Sequence, residues 1–390
     1  MFLRAQPVLL AAKAFPLART LTTPVISRTL LTKAALPRAQ ALINVTRKLH
    51  STIQPKNDVA NVVKDTSVTP FTPEERALAA QQRLDGLGPY VSRLPEKWIP
   101  YAELMRLEKP VGTWLLYIPC TWSILIAATS TGASIPATAF MLSVFGIGAL
   151  LMRGFGCTIN DLLDKDFDNK VLRTIERPIA SGRVSPKQAV GFLGAQLAAG
   201  LGVILCLPLD CFILGAVSLL PVCTYPLFKR FTYYPQAVLS LAFNWGALLG
   251  FPAMGIWDPT TMIPLFMSSF MWTMTYDTIY AHQDKKFDVA AGVKSTALAW
   301  GDKSKKIFTG LTVAQMSFLA MAGVSSGSIM MPGFVIGSTM LGYGIFKTIK
   351  QVNLDNPASC WKHFTANIGY GLYLTYGLLF DYLLRAFGLW

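Results

Sequence analysis

The sequence predicts an all-α, polytopic membrane protein, and three observations carry that expectation. Charged residues make up only 14% of the 390 residues and hydrophobic ones 52%, where soluble domains carry about 25% charged residues. Mean hydropathy is +0.42. From Val111 onward, apolar stretches recur that are each long enough to cross a hydrocarbon core of ~30 Å. Together these exclude a disordered chain, a coiled coil and an ordinary soluble enzyme.

The first segment is an address. Residues 1–57 hold nine Lys and Arg and no acid. Without them the net charge of +14 falls to +5, so the basic excess is mostly N-terminal and no nucleic-acid partner is expected. Residues 1–52 are rich in Arg, Ser, Thr, Leu and Ala, and basic residues interrupt every apolar run. That is the composition of a mitochondrial transit peptide. The stretch Arg47-Lys48-Leu49-His50-Ser51 resembles a matrix-protease cleavage site, so the mature chain is expected to start near Ser51. Residues 53–97 carry five prolines among charged residues and read as a soluble, flexible arm with at most a short helix near Pro73–Leu84.

Residues 98–390 form the membrane domain. Its nine expected spans are 111–128, 136–158, 188–206, 210–228, 236–256, 261–283, 307–325, 329–347 and 364–385. The loops then sort by charge. The loops 159–187, 284–306 and 348–363, with the turn at Lys229 and Arg230, carry most of the Lys and Arg. The opposite loops, 129–135, 207–209, 257–260 and 326–328, carry none. The positive-inside rule puts the basic side in the matrix of a mitochondrial inner membrane.

Two acidic clusters follow the second and sixth spans: Asn160-Asp161-Leu-Leu-Asp164-Lys-Asp166-Phe-Asp168, and Asp277 with Asp284-Lys-Lys-Phe-Asp288. On a continuous helix Asp161, Asp164 and Asp168 fall within about 60°, and Asp277, Asp284 and Asp288 within about 40°. Stacked carboxylates at membrane depth cost several kcal/mol unless paired or metal-bound. A hard cation such as Mg²⁺, which prefers carboxylate oxygen and substrate phosphate, is the expected compensation. The two clusters match each other at an offset of 120 residues, which suggests two related halves facing a central cavity. Lys170, Arg173, Arg177 and Arg183 follow the first cluster, Lys285, Lys286 and Lys294 follow or flank the second, and Tyr225 with Lys229 and Arg230 forms a third basic group. Acids with Arg and Lys around them furnish a diphosphate site. Arg153 lies inside the second span, seven residues before Asn160, and is a functional candidate on that ground. His282 reads as a structural histidine, and the six cysteines read as buried, inert thiols rather than a disulfide or zinc framework.

These residues resemble the UbiA superfamily of intramembrane prenyltransferases. Asn160-Asp161-x-x-Asp164-x-x-x-Asp168, extended by Arg173-Thr-x-x-Arg177-Pro-x-x-Ser181-Gly182, is similar to the first acidic motif. Tyr276-Asp277-Thr-Ile-Tyr280-Ala-x-x-Asp284, extended by Gly292-Val-Lys294-Ser295-Thr296, is similar to the second. Arg106-Leu-Glu-Lys109-Pro110-Val-Gly112-Thr-Trp114 and Tyr225-Pro-Leu-Phe-Lys229-Arg230 resemble the branch that prenylates 4-hydroxybenzoate in ubiquinone biosynthesis. Asp161 and Asp164 depart from the Asn-Gln-x-x-Glu motif of the haem-side-chain farnesyltransferases.

The resemblance implies nine transmembrane helices around a central cavity capped by polar loops. It implies Mg²⁺ as cofactor, with polyprenyl diphosphate and 4-hydroxybenzoate as substrates and the lipid bilayer as setting. Association with other ubiquinone-biosynthesis proteins is also expected. Metal donors would be Asn160, Asp161, Asp164, Asp168, Asp277, Asp284 and Asp288, with Asp164, Asp168, Asp284, Asp288 and Arg153 as the catalytic set. Lys170, Arg173, Arg177, Tyr225, Lys229, Lys285 and Lys294 would meet diphosphate. Arg230, Arg106, Lys109 and Tyr280 would meet the aromatic acceptor. Two other readings compete: a different aromatic acceptor such as a naphthoate or homogentisate, and an inner-membrane transporter of a polyanion or divalent cation. A transporter site belongs nearer the midplane than these acids lie.

Overall fold

A computed structural model describes residues 71–169, 171–172, 174–285, 288 and 293–390. Among them every regular element is helical. The expected transit segment, 1–52, and residues 53–70 lie outside the described residues.

The first helix, α1 (Pro73–Asp85), falls where the sequence places a short helix. Its start is capped reciprocally. Thr72 Oγ1 accepts from Glu75 N–H at 3.2 Å, and Thr72 N–H donates to Glu75 Oε2 at 2.9 Å. A short α2 (Gly88–Val91) and α3 (Ile99–Leu104) follow. Residues 71–97 are not a free arm. Leu87 and Val91 are buried against Ala102, and Arg83 of α1 pairs with Glu103 of α3 at 2.7 Å. Two apolar side chains and one charge pair dock this segment on the membrane domain, a feature its Pro-rich composition conceals.

Four long helices come next. α4 (Val111–Thr131) ends at Gly132 in the left-handed region, φ 64°, where a side chain would strain the backbone. α5 (Ile135–Leu163) has 29 residues, starts on a Ser134 cap, and at 1.5 Å per residue is roughly 43 Å long. It therefore overshoots the hydrocarbon core and carries Asn160 and Asp161 on its last turns. A one-turn α6 (Lys165–Asp168) follows. α7 (Pro186–Ile204) starts on a Ser185–Gln188 capping box, and α8 (Leu209–Phe231) contains Pro221 and Pro226.

The fifth span is not one helix, contrary to the expectation for 236–256. It divides into α9 (Pro235–Phe243) and α10 (Trp245–Ala253) at Asn244. The amide of Asn244 donates to the Ser240 carbonyl and to Thr273 Oγ1, both at 2.8 Å, so its side chain competes with the helical ladder. Beyond the break, α10 presses against α4. A Cβ at Gly246 would stand 2.2 Å from Cys120 Sγ, and one at Gly250 2.0 Å from Ser123 Oγ.

The remaining elements are α11 (Pro259–Ala281), a short α12 (Thr296–Trp300), α13 (Ser304–Ser325), α14 (Pro332–Gln351) and α15 (Pro357–Ala386). α15 begins seven residues before the expected 364, because Asn356 caps it by accepting from Ala358 N–H at 2.9 Å. α14 runs four residues past the expected 347. Each expected stretch overlaps a helix, but the third, fifth, sixth and eighth include residues outside α-helix, and the fifth is divided. Of these helices, Val111–Thr131, Ile135–Leu163, Pro186–Ile204, Leu209–Phe231 and the run Thr296–Ser325 are long and apolar enough to cross a membrane. The main core joins α4, α11, α13, α14 and α15, with Trp122 stacked on Trp272 at 5.2 Å.

Candidate active site

The acidic ends of α5 and α11 open onto one cavity of about 1430 Å³. Its polar end is lined by Asn160, Asp161, Asp164, Asp168, Asp277, Asp284 and Asp288, with Arg106, Lys109, Arg153, Arg177, Lys229, Arg230 and Lys294 among them. Tyr225 and Tyr280 line the same end. Its apolar end is walled by α5, α7, α8 and α10, down to Phe145, Leu207, Phe212 and Leu249. Lys285 does not line the cavity. Lys170 and Arg173 lie outside the described residues.

The acids do not form continuous helical stripes. α5 stops at Leu163, and Asp164 caps it. α11 stops at Ala281, before Asp284 and Asp288. The backbone nevertheless keeps a helical spacing locally. Asp168 N–H donates to the Asp164 carbonyl at 2.9 Å, and Asp288 N–H to the Asp284 carbonyl at 2.8 Å.

Cations are interleaved with the acids. Arg106 Nη2 donates to both oxygens of Asp161, at 2.7 and 2.9 Å. Arg177 Nη1 lies 3.2 Å from Asp161 and donates to both oxygens of Asp168, at 3.1 and 2.9 Å. Lys229 Nζ donates to Asp164 and, at 3.3 Å, to Asn160 Oδ1. No three His, Cys, Asp or Glu side chains among the described residues are grouped closely enough to hold a metal by themselves. Asp161 is wholly buried between two guanidiniums. Its geometry is that of an anchor for arginines rather than a bare metal ligand. Arg106, expected to meet the aromatic acceptor, is committed to that anchor and adopts φ 56°, an uncommon value for a side-chain-bearing residue.

Burial pushes the Asp168 carboxyl up to about 6; Arg177 opposes that, and the nearby Asp161 and Asp164 add to it. The donor set still suits a hard cation. Asn160 and Asp164 turn an amide oxygen and a carboxylate oxygen onto one positive charge, that of Lys229.

Arg153 is held differently. Its guanidinium lies over the Phe243 ring at 5.3 Å, a cation–π contact. A Cβ at Gly112 would stand 2.4 Å from Arg153 Nε, so that glycine makes the room. Neither Gly112 nor Phe243 is singled out as a partner of Arg153 by the sequence, because nothing along the chain links these positions. Lys294 joins the two basic groups: its N–H donates to the Lys229 carbonyl at 2.9 Å, and its Nζ to the Phe231 carbonyl at 3.2 Å. His282 is structural, its Nε2 lying 3.0 Å from Ser304 Oγ.

An all-helical chain with a carboxylate and guanidinium cluster at the head of a deep apolar cavity defines a class, that of intramembrane prenyl transferases. The chain belongs to the UbiA prenyltransferase family, which matches residues 116–371. The mitochondrial 4-hydroxybenzoate polyprenyltransferase of Saccharomyces cerevisiae is 63% identical over 318 residues, covering 82% of this chain and 86% of that protein. The protein of the same name from Homo sapiens is 49% identical over 290 residues, covering 74% and 77%. Among solved structures, the apo UbiA homologue from Aeropyrum pernix K1 superimposes with a TM-score of 0.57 at 18% identity, over 69% of this chain and 97% of that one. The homologue from Archaeoglobus fulgidus bound to DMAPP and Mg²⁺ gives 0.50 at 20% identity, over 71% and 99%. Those likenesses establish the fold.

Proposed function

We infer that this chain transfers a polyprenyl group from polyprenyl diphosphate to the ring carbon ortho to the phenol of 4-hydroxybenzoate, a membrane step of ubiquinone biosynthesis. The observation that carries the reading is the joining of two environments in one cavity. A head of carboxylates and cations suits a diphosphate. An apolar shaft suits an isoprenoid tail, and the whole cavity, about 1430 Å³, exceeds the ~300–1,000 Å³ of ordinary small-molecule sites. The polyprenyltransferase relatives, with coverage above three quarters of their own length, support the acceptor.

Asn160, Asp164, Asp168, Asp284 and Asp288 are the residues that would hold Mg²⁺, with Asp277 lining the cavity beside them. Mg²⁺ held there would neutralise the charge that builds on the leaving diphosphate. Arg177, Lys229 and Lys294 bind the diphosphate oxygens, and Tyr225 borders them. Lys229 must leave Asp164 to do so, exchanging a carboxylate partner for a phosphate one. Arg153 offers a cation on an aromatic bed, which suits a ring bearing a carboxylate; Arg230, Lys109 and Tyr280 stand at the same end. The electron-rich ring attacks the allylic carbon as the carbon–oxygen bond to diphosphate breaks, and the ring carbon then gives up its proton to the departing diphosphate to restore aromaticity. Apolar walls exclude the water that would otherwise capture the allylic cation.

We place the protein in the mitochondrial inner membrane with the acid end toward the matrix, on the charge asymmetry of its loops. Residues 1–52 act as the transit peptide. Association with other ubiquinone-biosynthesis proteins is tested by co-purification from mitochondria. The function is tested in lipid-reconstituted protein supplied with polyprenyl diphosphate and 4-hydroxybenzoate, with and without Mg²⁺. A Mg²⁺-dependent prenylated acid in the mass spectrum is the expected result. Diphosphate release without that product would move the acceptor to another aromatic, and neither product would remove the reading.

A further inference from the structure

Glu103 is a buried acid that prenyl transfer does not employ. It sits near the end of α3, 5% exposed, away from the cavity lining. We propose that the Glu103 carboxylate is a positioning group that, through Arg183, holds Arg177 on the acid cluster, and so sets how tightly the diphosphate end of the donor binds. The proposal rests on the prenyl-transfer reading above.

The contacts form a circuit. Arg183 Nη1 donates to Glu103 Oε2, and Arg183 Nη2 donates to the Glu176 carbonyl. Arg183 Nε donates to Ser181 Oγ at 3.0 Å, and that hydroxyl donates to the Arg177 carbonyl at 2.8 Å. Arg183 therefore fixes the turn on which Arg177 rides from both sides. Arg177 in turn holds Asp168 and Asp161. Asp161 is gripped by Arg106, whose Nη1 donates to the Glu103 carbonyl at 3.2 Å. The path begins at the Glu103 carboxylate and ends at its own backbone. From outside, Arg83 of α1 adds two bonds to the same carboxylate, at 2.7 and 3.1 Å.

One carboxylate thus serves two guanidiniums, and removing its charge takes that anionic partner from both in a half-buried place. The turn has a second anchor that does not depend on charge. Leu104, Ile179 and Val184 form an apolar cluster with Ala189 beneath it. Loss of the Glu103 charge should therefore leave the loop folded and shift the register of Arg177. That separates a positioning role from a merely structural one.

The test uses full-length protein in lipid, with wild type, Glu103→Gln, Arg183→Gln and the double variant in parallel. The expected result is a KM for polyprenyl diphosphate raised about tenfold, in the range seen when supporting partners of a site are removed. The KM for 4-hydroxybenzoate should stay unchanged. Inorganic diphosphate titrated with Mg²⁺ in the absence of acceptor should bind correspondingly more weakly. The double variant should be no worse than the poorer single one, because both break the same circuit. Unchanged donor KM and diphosphate binding, equal shifts in both KM values, or additive effects would overturn the proposal. If Glu103→Gln does not fold, Arg183→Gln and Ser181→Ala carry the same outcomes. Failure of wild type to make product would instead remove the prenyl-transfer reading, while the diphosphate titration still reports on Glu103.

Discussion

The two sides of this helical bundle are packed by different rules. On one side α4, α11, α13, α14 and α15 share a continuous core around Trp122, Trp272 and Leu341, all at most 1% exposed. The most apolar stretch of α4 is 72% buried. On the other side α7 and α8 bury only 11% of theirs, although they are equally apolar to the eye. Their outer faces read as lipid-facing, and their inner faces line the cavity, so neither has a protein core to fill. The contrast shows what a membrane allows. A wall that would collapse in water can stand beside a void, because lipid is as apolar a neighbour as a packed helix. The solid side fixes α11 and the start of α4, and with them the head of the site; the thin side provides the volume.

The sharpest way to break this division is at the head of the site. Asp164→Asn and Asp284→Asn should each lower transfer by at least about 100-fold, the scale of losing one preorganised charge contact. Both variants should keep the wild-type melting profile in detergent. Retained activity in either would remove the metal assignment.

On the solid side, close packing should dominate. A Cβ at Gly377 would stand 2.1 Å from the Gly333 carbonyl oxygen, where α14 and α15 meet. Gly377→Leu should cost about 1–3 kcal/mol through overpacking, read as a lowered Tm. Gly202→Leu on α7, where a Cβ meets no neighbouring atom within 4 Å, should stay within about 0.5 kcal/mol of wild type. Equal losses at both sites would mean the thin wall is packed against something in the membrane.

The thin side should reveal itself through substrate length instead. Ala198 faces the cavity from α7. Ala198→Trp fills part of the shaft, and should raise KM for a long polyprenyl diphosphate about tenfold, the scale of a few lost methylene contacts. KM for a one-unit donor should be unaffected. A uniform effect on both donors would place the tail elsewhere.

The smallest effect lies at the end of α11, on the solid side. Burial, and then the charge of Lys285, lower the His282 pKa from 6.5 to about 4. A depressed value means the neutral ring is favoured in the fold. Its contribution is whole above pH 6.5 and is lost as pH falls toward 4. His282→Asn should flatten the acid limb of a Tm-against-pH curve in that window and leave Tm at pH 7.5 nearly unchanged.

Much of this was legible in the residues. Apolar run length located the helices to within several residues, the divided fifth span excepted, because a long run of Leu, Ile, Val and Ala satisfies its backbone locally wherever it lies. The acids announced themselves by type and spacing, and Asn160, Asp164, Asp168, Asp284 and Asp288 do share one cavity. The helical stripes did not hold, since α5 and α11 end before their clusters do. A 100° wheel assumes a helix continues, and only the capping contacts decide where it stops.

What the sequence by itself determined is therefore the local and compositional part: helix, membrane and an acidic head. What only the tertiary structure decided is who partners whom. Arg106 and Asp161 are 55 residues apart and Arg183 and Glu103 are 80 apart, yet each pair is in contact. Asn244 breaks a span because Thr273 waits on another helix. Glycines at 112 and 250 look alike on paper, but one clears space for a guanidinium and the other for a serine hydroxyl. Hydrophobicity and helix periodicity act between neighbours along the chain, whereas charge pairing and close packing act between surfaces that meet only once the chain has folded.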